Sequence, residues 1–161
     1  MQEVRVTHEF NFDIEKVFAG ISNHVEFLST SKIECSMLCA GECNANGKGA
    51  LRKVQKGMIC FEEEINAFDP PHSYEYRILS LRGPFNLKLP FRHQLGRLEL
   101  HAANQKTLLI WTSQFAFAVP LIGQWIERRL GKSISSTFMF FLKRLDTRLE
   151  NDSGRSRANP L

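Results

Sequence analysis

The most regular hydrophobic pattern in the chain runs from Pro120 to Glu150. Apolar residues recur there every three or four positions and charged residues fall mostly between them, which predicts an amphipathic helix with one buried face. Proline suits the first turn of such a helix, because its missing N–H has no partner there in any case. At 1.5 Å per residue this helix would be about 45 Å long, enough to cross a small domain.

Most of the chain before this helix alternates between apolar and polar residues, as half-buried strands do. Turn-like connections separate the later segments and imply antiparallel neighbours. The proline-bracketed segment 84–90 is apolar but favours a loop or an edge. Strands are predicted at 2–12, 33–40, 50–55, 58–67, 73–81, 91–103 and 107–118, with two short helices between 14 and 29.

These elements predict an α+β fold in which a curved antiparallel sheet of about seven strands wraps the long C-terminal helix. The two short helices follow the first strand, so that strand must pair with a later segment. A strongly curved sheet cannot fill the space beneath it without very bulky side chains, and we therefore expect an internal cavity. The predicted domain spans 1–150, and the polar segment 151–161 is predicted to be a flexible tail.

Composition narrows the classes of protein without identifying one. A hydrophobic content of 43% and a charged content of 24% are ordinary for a soluble domain of 161 residues. The net charge of +4 owes much to arginines near the end of the chain, and no aromatic residues interleave with them as in nucleic-acid sites. No apolar run reaches a membrane span of roughly 18 residues, and no signal peptide is recognisable. We predict a cytoplasmic protein that binds no nucleic acid.

The cysteines do not predict a metal site. Cys35, Cys39 and Cys43 are spaced by four on and just after a predicted strand, where four residues span about 13 Å. That spacing is too wide for tetrahedral zinc. Reduced thiols in a cytosolic protein are the simplest interpretation of all four, Cys60 included.

Several short motifs, taken in order, resemble one superfamily. They are Val6-x-x-x-Phe10 followed by Asp13–Phe18, Gly47-x-Gly49-Ala50-x-Arg52, Glu63-x-Ile65, Phe68–Pro71 with Tyr76-Arg77, Thr107-x-x-x-Trp111 and Pro120-x-x-Gly123. Their order is similar to that of the START-like (SRPBCC) superfamily of helix-grip proteins, and most closely to its polyketide cyclase/dehydrase and lipid-transport branch. The resemblance covers roughly residues 2–150. It implies a helix-grip fold and a cavity for a hydrophobic ligand, but not a particular reaction.

The chain departs from the superfamily in two places: Phe18 stands where tryptophan is common, and the loop from Arg82 to Phe91 matches no family motif. The oxygenase members of the superfamily need an iron site of two histidines and a carboxylate, and the five histidines here do not match that pattern. We therefore predict no metal and no cofactor.

Strand alternation places two charged residues on apolar faces. Glu63 shares a face with Phe61 and Ile65, and Arg52 shares one with Val54. A buried carboxylate or guanidinium needs a partner, so the two residues form an internal ion pair or bind the polar head of a ligand. A register slip of one residue would instead turn both outward.

Further candidate contacts come from the last two strands, the first strand and the helix. Pairing across the turn at 104–105 directs Trp111 and Phe115 inward with Gln94 nearby, and turns His93 and His101 to solvent. The small hydroxyls of Ser133 and Thr137 fall near the centre of the helical stripe, which suggests room beneath them. Ordinary core packing is the alternative for all of these. The complete set of predicted ligand contacts is His8, Arg52, Glu63, Tyr76, Gln94, Trp111, Phe115, Ser133 and Thr137.

The leading hypothesis is non-covalent binding of a hydrophobic small molecule (a lipid, isoprenoid or polyketide-like compound) between the sheet and the C-terminal helix. It rests on the expected apolar cavity and on the lack of a recognisable nucleophile, metal site or phosphate loop, so no catalytic residue is assigned. One alternative is a cyclase, aromatase or dehydratase in which Glu63 or His8 moves protons. Another is a partner-binding module that presents the apolar loop 84–91. The sequence does not define the ligand or the oligomeric state.

Overall fold

The computed structural model describes residues 1–120 and 122–158. Seven antiparallel strands form one sheet in the order β1-β7-β6-β5-β4-β3-β2, with a long helix across its concave face. The elements are β1 (Gln2–Phe10), α1 (Ile14–Ser22), α2 (His24–Leu28), β2 (Glu34–Cys39), β3 (Leu51–Lys56), β4 (Ile59–Asp69), β5 (Ser73–Arg82), β6 (Phe91–Ala103), β7 (Lys106–Phe117) and α3 (Gly123–Ala158).

The predicted α+β helix-grip architecture is confirmed, with all seven strands within a few residues of their predicted bounds. The segment between β5 and β6 is a loop containing one short 3-10 turn, Pro84–Asn86. Strand β1 pairs with β7 along its whole length, from Gln2 opposite Phe115 to Phe10 opposite Thr107. The two short helices therefore carry the chain from one edge of the sheet to the other.

Helix α3 begins and ends later than the sequence predicts. It begins at Gly123, because the preceding amide N–H of Ile122 bonds to the carbonyl of Pro120 in a turn. It continues as a helix to Ala158, through most of the segment predicted as a tail, and residues 159–161 lie outside the described chain. Ser153 receives a hydrogen bond of 2.5 Å from Nζ of Lys16 on α1, so tertiary contact extends beyond the predicted end of the helix.

The two halves of α3 pack differently. Phe141, Leu142, Leu145 and Leu149 are buried in the second half and complete the hydrophobic core with α1, α2 and the sheet. Before Phe141, none of the large apolar side chains that the structure describes on α3 is fully buried. The second half of the helix is therefore a core element, and the first half covers the sheet more loosely.

Arg144 fixes α3 to α2. Its guanidinium donates hydrogen bonds to the carbonyls of Glu26 (2.7 Å), Phe27 (2.9 Å) and Ser29 at the end of α2. The last carbonyls of a helix have no partners within the helix, and a cation placed there also interacts favourably with the helix dipole. This contact joins a five-residue helix, too short to be stable by itself, to the core.

Candidate functional site

Arg52 and Glu63 form an ion pair inside the concave face. They are directly opposite each other on β3 and β4, and Nε of Arg52 lies 2.6 Å from Oε2 of Glu63. The two side chains are only 1% and 5% exposed. The structure thus contains the internal pair that strand alternation predicts. Because each charge is neutralised by the other, the pair is close to neutral as a unit.

Aromatic rings surround this pair. Cζ of Arg52 lies 5.1 Å from the ring centroid of Tyr76 and 6.0 Å from that of Tyr74. Burial disfavours the charged form of Arg52, but the carboxylate of Glu63 and the neighbouring groups hold its pKa above the ordinary value. Within the described chain, Nη1 of Arg52 and the hydroxyl of Tyr74 have no hydrogen-bond partner. Two buried polar groups of the site are therefore free to form hydrogen bonds with a ligand.

Tyr76 reaches across β6 to β7. A Cβ atom on Gly96 would lie 2.2 Å from Cζ of Tyr76, so only glycine allows the ring to lie over this position. The Tyr76 hydroxyl accepts a hydrogen bond of 3.0 Å from Nε1 of Trp111. Trp111 in turn stacks on Phe138 of α3, with centroids 3.8 Å apart and planes 5° apart. The result is an aromatic wall that runs from the sheet to the helix.

His93 faces the interior, and the prediction that it faces solvent is wrong. A β-bulge between His93 and Leu95 shifts the register of β6 and reverses the alternation on one side of it. The predicted inward-facing residue Gln94 is consequently exposed. Phe91 and Leu98 are seven positions apart, so both can face inward only if a bulge lies between them. That odd spacing was the available signal in the sequence.

The hydrogen bonds of His93 define its tautomer. The backbone N–H of Ile78 donates to Nδ1 over 3.1 Å, so Nδ1 carries the lone pair and Nε2 carries the proton. Nε2 then donates to the hydroxyl of Ser113, 3.1 Å away. Burial, with a smaller effect of Arg77, lowers the pKa of His93 to about 4. His93 cannot remove a proton from Ser113 in this arrangement, so the two are not a nucleophile and its base.

His24 on α2, which is not among the predicted ligand contacts, is fully buried. Its Nε2 lies 2.9 Å from the carbonyl of Asn46, and its ring packs edge-to-face on Tyr74 with centroids 5.1 Å apart. Burial, together with the positive charge of Arg52, lowers its pKa to about 3. Nothing in the amphipathic pattern of so short a helix distinguishes this histidine from a surface residue.

Ser133 and Thr137 are not at the centre of the buried helical face. Ser133 is exposed, and the partly exposed hydroxyl of Thr137 donates to the carbonyl of Ser133 at 2.9 Å. At 100° per residue, Ser133 lies roughly 120–160° around the helix from Gly131 and Leu145, which are both buried. The apolar stripe of α3 is wider than the face that is buried. The centre of the stripe, at Ser133 and Thr137, therefore differs from the centre of the buried face.

His8 faces the helix, as its inward position on β1 predicts. Its Nε2 lies 2.9 Å from Oδ2 of Asp146, and the two side chains are 18% and 23% exposed. The ring also packs edge-to-face on Phe10, with centroids 4.7 Å apart. This contact connects β1 to α3 at some distance from the ion pair.

An apolar surface adjoins the ion pair and His93. Its members face inward but are only half-buried, so they are not sealed within the core as Phe115 and Trp111 are. They are Met37 on β2, Phe61 on β4, Ile78 on β5 and Phe138 on α3, together with Phe91 on β6, whose ring stacks on His93 with centroids 6.2 Å apart. We refer to these five residues as the apolar lining.

Two surface depressions lie elsewhere. One of about 400 Å³ is lined by residues of α2 and α3, including Phe27 and Arg144. The other, of about 630 Å³, lies between β1 and α3 and is lined largely by polar side chains such as Arg5 and Lys132. Neither is lined by the ion pair or the apolar lining, so neither coincides with the predicted ligand position.

No group of three or more metal-binding side chains occurs in the part of the chain that the structure describes. Over the same residues, no helix is both long enough and apolar enough to cross a membrane. The thiol of buried Cys35 has its pKa raised to about 11 by burial, so it is not activated as a nucleophile.

A curved seven-stranded sheet closed by a long C-terminal helix, with polar groups held inside its concave face, defines a START-like helix-grip protein. The sequence profile of the family described as polyketide cyclase / dehydrase and lipid transport matches residues 1–150. The chain belongs to this family. No curated protein has a sequence that matches it.

Solved structures agree with this fold at low sequence identity. TTHA0849 from Thermus thermophilus is 17% identical, with a TM-score of 0.72 over 94% of this chain and 99% of that one. A START superfamily protein from Mycobacterium smegmatis is 13% identical, with a TM-score of 0.69 over 92% and 97%. DynU16, a putative protein in the dynemicin biosynthetic locus, is 16% identical, with a TM-score of 0.61 over 93% of this chain and 48% of that one.

Proposed function

We propose that this protein binds a hydrophobic small molecule, of the lipid, isoprenoid or polyketide-like class, non-covalently between the sheet and the first half of α3. The observation that carries the proposal is the apolar lining. Its side chains face the concave interior yet remain half-buried, and apolar area that still contacts water is what an apolar ligand would cover.

The loose packing of the first half of α3 supports this position. The residues of that half that are buried are Gly123, Glu127 and Gly131, which supply little apolar volume. A ligand can therefore displace this part of the helix slightly without disrupting the core, which the second half completes. Of the aromatic wall, Phe138 would contact the bound ligand, because Tyr76 and Trp111 are themselves buried behind it.

Simple ligand binding accounts for the polar groups better than catalysis does. Glu63 is engaged by Arg52, and His93 holds its proton on the nitrogen that faces Ser113. The unpartnered Nη1 of Arg52 carries two N–H groups that can donate to an acceptor on a ligand. Because Glu63 already neutralises the guanidinium, a neutral carbonyl or hydroxyl suits this position better than a second carboxylate would.

The first test is native mass spectrometry of the purified protein, followed by denaturation and identification of released compounds. We expect a stoichiometric apolar adduct, or saturable uptake of a neutral fluorescent lipid probe if the host supplies no ligand. A protein that carries no adduct and takes up no probe would overturn the proposal.

Two neighbouring residues of β5 provide a matched pair of variants. Ile78 faces inward beside the ion pair, whereas Leu79, at a bulge, is 50% exposed. We expect Ile78→Gln to weaken probe binding at least tenfold and Leu79→Gln to leave it within twofold. Equal affinities in these two variants would place the probe elsewhere, for example in the depression beside Arg144.

A further inference from the structure

Exposed apolar side chains gather at one end of the molecule. Antiparallel pairing brings together the β3–β4 turn, the β5–β6 loop and the β7–α3 connection, because Cys60 is opposite Arg82 and Phe91 is opposite Phe117. The backbone N–H of Ala118 also donates to the carbonyl of Pro90, at 2.8 Å. We refer to this end as the loop end.

At least five of the twelve exposed large hydrophobic side chains of the described chain lie at the loop end or on the first turns of α3 beside it. Such concentration is unusual, because exposed apolar residues are normally scattered singly. The five and their exposed fractions are Met58 (71%), Phe85 (102%), Leu87 (65%), Ile122 (54%) and Trp125 (65%).

The β5–β6 loop holds its aromatic tip in a defined conformation. Gly83 N–H donates to the Leu87 carbonyl and Leu89 N–H donates to the Leu81 carbonyl, each at 2.9 Å. Phe85, at the tip, has a φ of 56°, a left-handed conformation that is unfavourable for a bulky residue. The loop accepts this cost although the ring gains no packing in return, which is typical of a side chain kept for an intermolecular contact.

The loop end is also strongly basic. Its turns and the first turns of α3 contain Lys56, Arg82, Lys88, Arg92, Arg128 and Arg129, whereas the whole chain carries a net charge of only +4. The one acidic residue in these segments is Glu127, which is buried and accepts a hydrogen bond of 2.9 Å from the Phe117 amide. The guanidinium of Arg129 lies 5.6 Å from the Trp125 ring.

We propose that the loop end docks onto an anionic membrane surface. Exposed aromatic and aliphatic side chains surrounded by basic residues have the composition of segments that lie in the headgroup region of a bilayer. The basic residues favour anionic lipid. The fully exposed Phe85 ring can enter a bilayer without a preformed pocket, whereas a protein partner would have to provide one. This inference does not depend on ligand binding, although the apolar lining includes Phe91 at the base of the same loop.

The test is flotation of the full-length protein with vesicles of phosphatidylcholine alone or with 30 mol% phosphatidylglycerol added. We expect binding to the anionic vesicles that weakens with added salt, and at least tenfold weaker binding to the neutral ones. The variant Phe85→Ser/Leu87→Ser should lose at least tenfold in affinity for anionic vesicles. Phe140→Ser, which removes an exposed aromatic ring of 52% exposure from another part of α3, should retain wild-type affinity.

Three outcomes would overturn the proposal. The first is no binding to anionic vesicles, and the second is equal loss in the loop and Phe140 variants. The third is a concentration-dependent mass that the loop variant abolishes while vesicle binding persists, which would make the loop a protein contact. Because Phe85 and Leu87 lie outside the core, the loop variant should keep its wild-type circular dichroism. Probe uptake in the same variant distinguishes failure of docking from failure of ligand binding.

Discussion

Two buried histidines should make the stability of this protein strongly dependent on pH between 7 and 5. Burial lowers the pKa of His24 to about 3 and that of His93 to about 4, whereas the ordinary value is about 6.5. As the pH falls through 6.5, both histidines take up protons in the unfolded chain but not in the folded protein. Protonation thus stabilises the unfolded state, and folding stability falls until the pH reaches the folded-state pKa.

The size of the effect follows from the same values. At pH 5 an unfolded histidine with a pKa of 6.5 gains about 2 kcal/mol from protonation relative to pH 7, at 1.36 kcal/mol per unit of pKa. In the folded protein both histidines remain essentially neutral at pH 5. His24 and His93 together should therefore lower the free energy of unfolding by about 4 kcal/mol at pH 5 relative to pH 7. With a urea dependence of about 2 kcal/mol per molar, the unfolding midpoint should move down by about 2 M.

Urea unfolding followed by circular dichroism at pH 7, 6 and 5 measures this shift. His24→Gln keeps a donor toward the Asn46 carbonyl, and His93→Asn keeps an acceptor toward the Ile78 amide. Each single variant should remove about half of the pH dependence, and the double variant should remove nearly all of it. An equal midpoint at pH 7 and pH 5 in the wild type, or a full shift in the double variant, would refute the reasoning.

Three further substitutions test single contacts by denaturant unfolding or hydrogen exchange. Glu63→Gln leaves Arg52 as an unpaired buried cation, so we expect the free energy of unfolding to fall by about 3–5 kcal/mol. The double variant Arg52→Met/Glu63→Leu, which removes both charges, should largely restore it. A loss below about 1 kcal/mol in the single variant would contradict this expectation. Gly96→Ala should lower the free energy of unfolding by about 1–3 kcal/mol, because the added methyl group overpacks against Tyr76. The same substitution should have little effect in a Tyr76→Ala background. An equal loss in both backgrounds would count against the close contact. Arg144→Met should lower the free energy of unfolding by about 1–3 kcal/mol and speed amide hydrogen exchange in residues 24–30. Unchanged exchange in those residues would argue against the contact between Arg144 and α2.

The fold was largely predictable because its signals are local and repeated. Few architectures are compatible with alternation within each strand, turn residues between the strands and a helical period at the end of the chain. The Arg52–Glu63 pair was predictable for the same reason, since no bulge falls between Arg52 and Val54 or between Glu63 and Ile65 to disturb the alternation.

The predictions that failed depend on features without a local signal. The bulge beside Gln94 exchanges the faces of two neighbouring residues, and only the odd spacing of distant apolar positions indicates it. The wrong placement of Ser133 arose because α3 exposes Trp125 and other large apolar residues that the pattern assigns to a buried stripe. An exposed apolar residue cannot be distinguished from a core residue by its hydrophobicity alone.

The position of β1 at the far edge of the sheet has a consequence for biosynthesis. Every other neighbouring pair of strands is consecutive in the chain, but β1 pairs with β7. Gln2 therefore has no pairing partner until Phe115 has been synthesised. At synthesis rates of about 5–20 residues per second, the delay is roughly 5–20 s. During that time the apolar face of β1, with Val4, Val6 and Phe10, lacks its final partner, and we expect a nascent chain halted before β7 to bind chaperones until β7 is made. Ribosome-bound chains of increasing length, probed by limited proteolysis, should show β1 protected only once β7 has emerged.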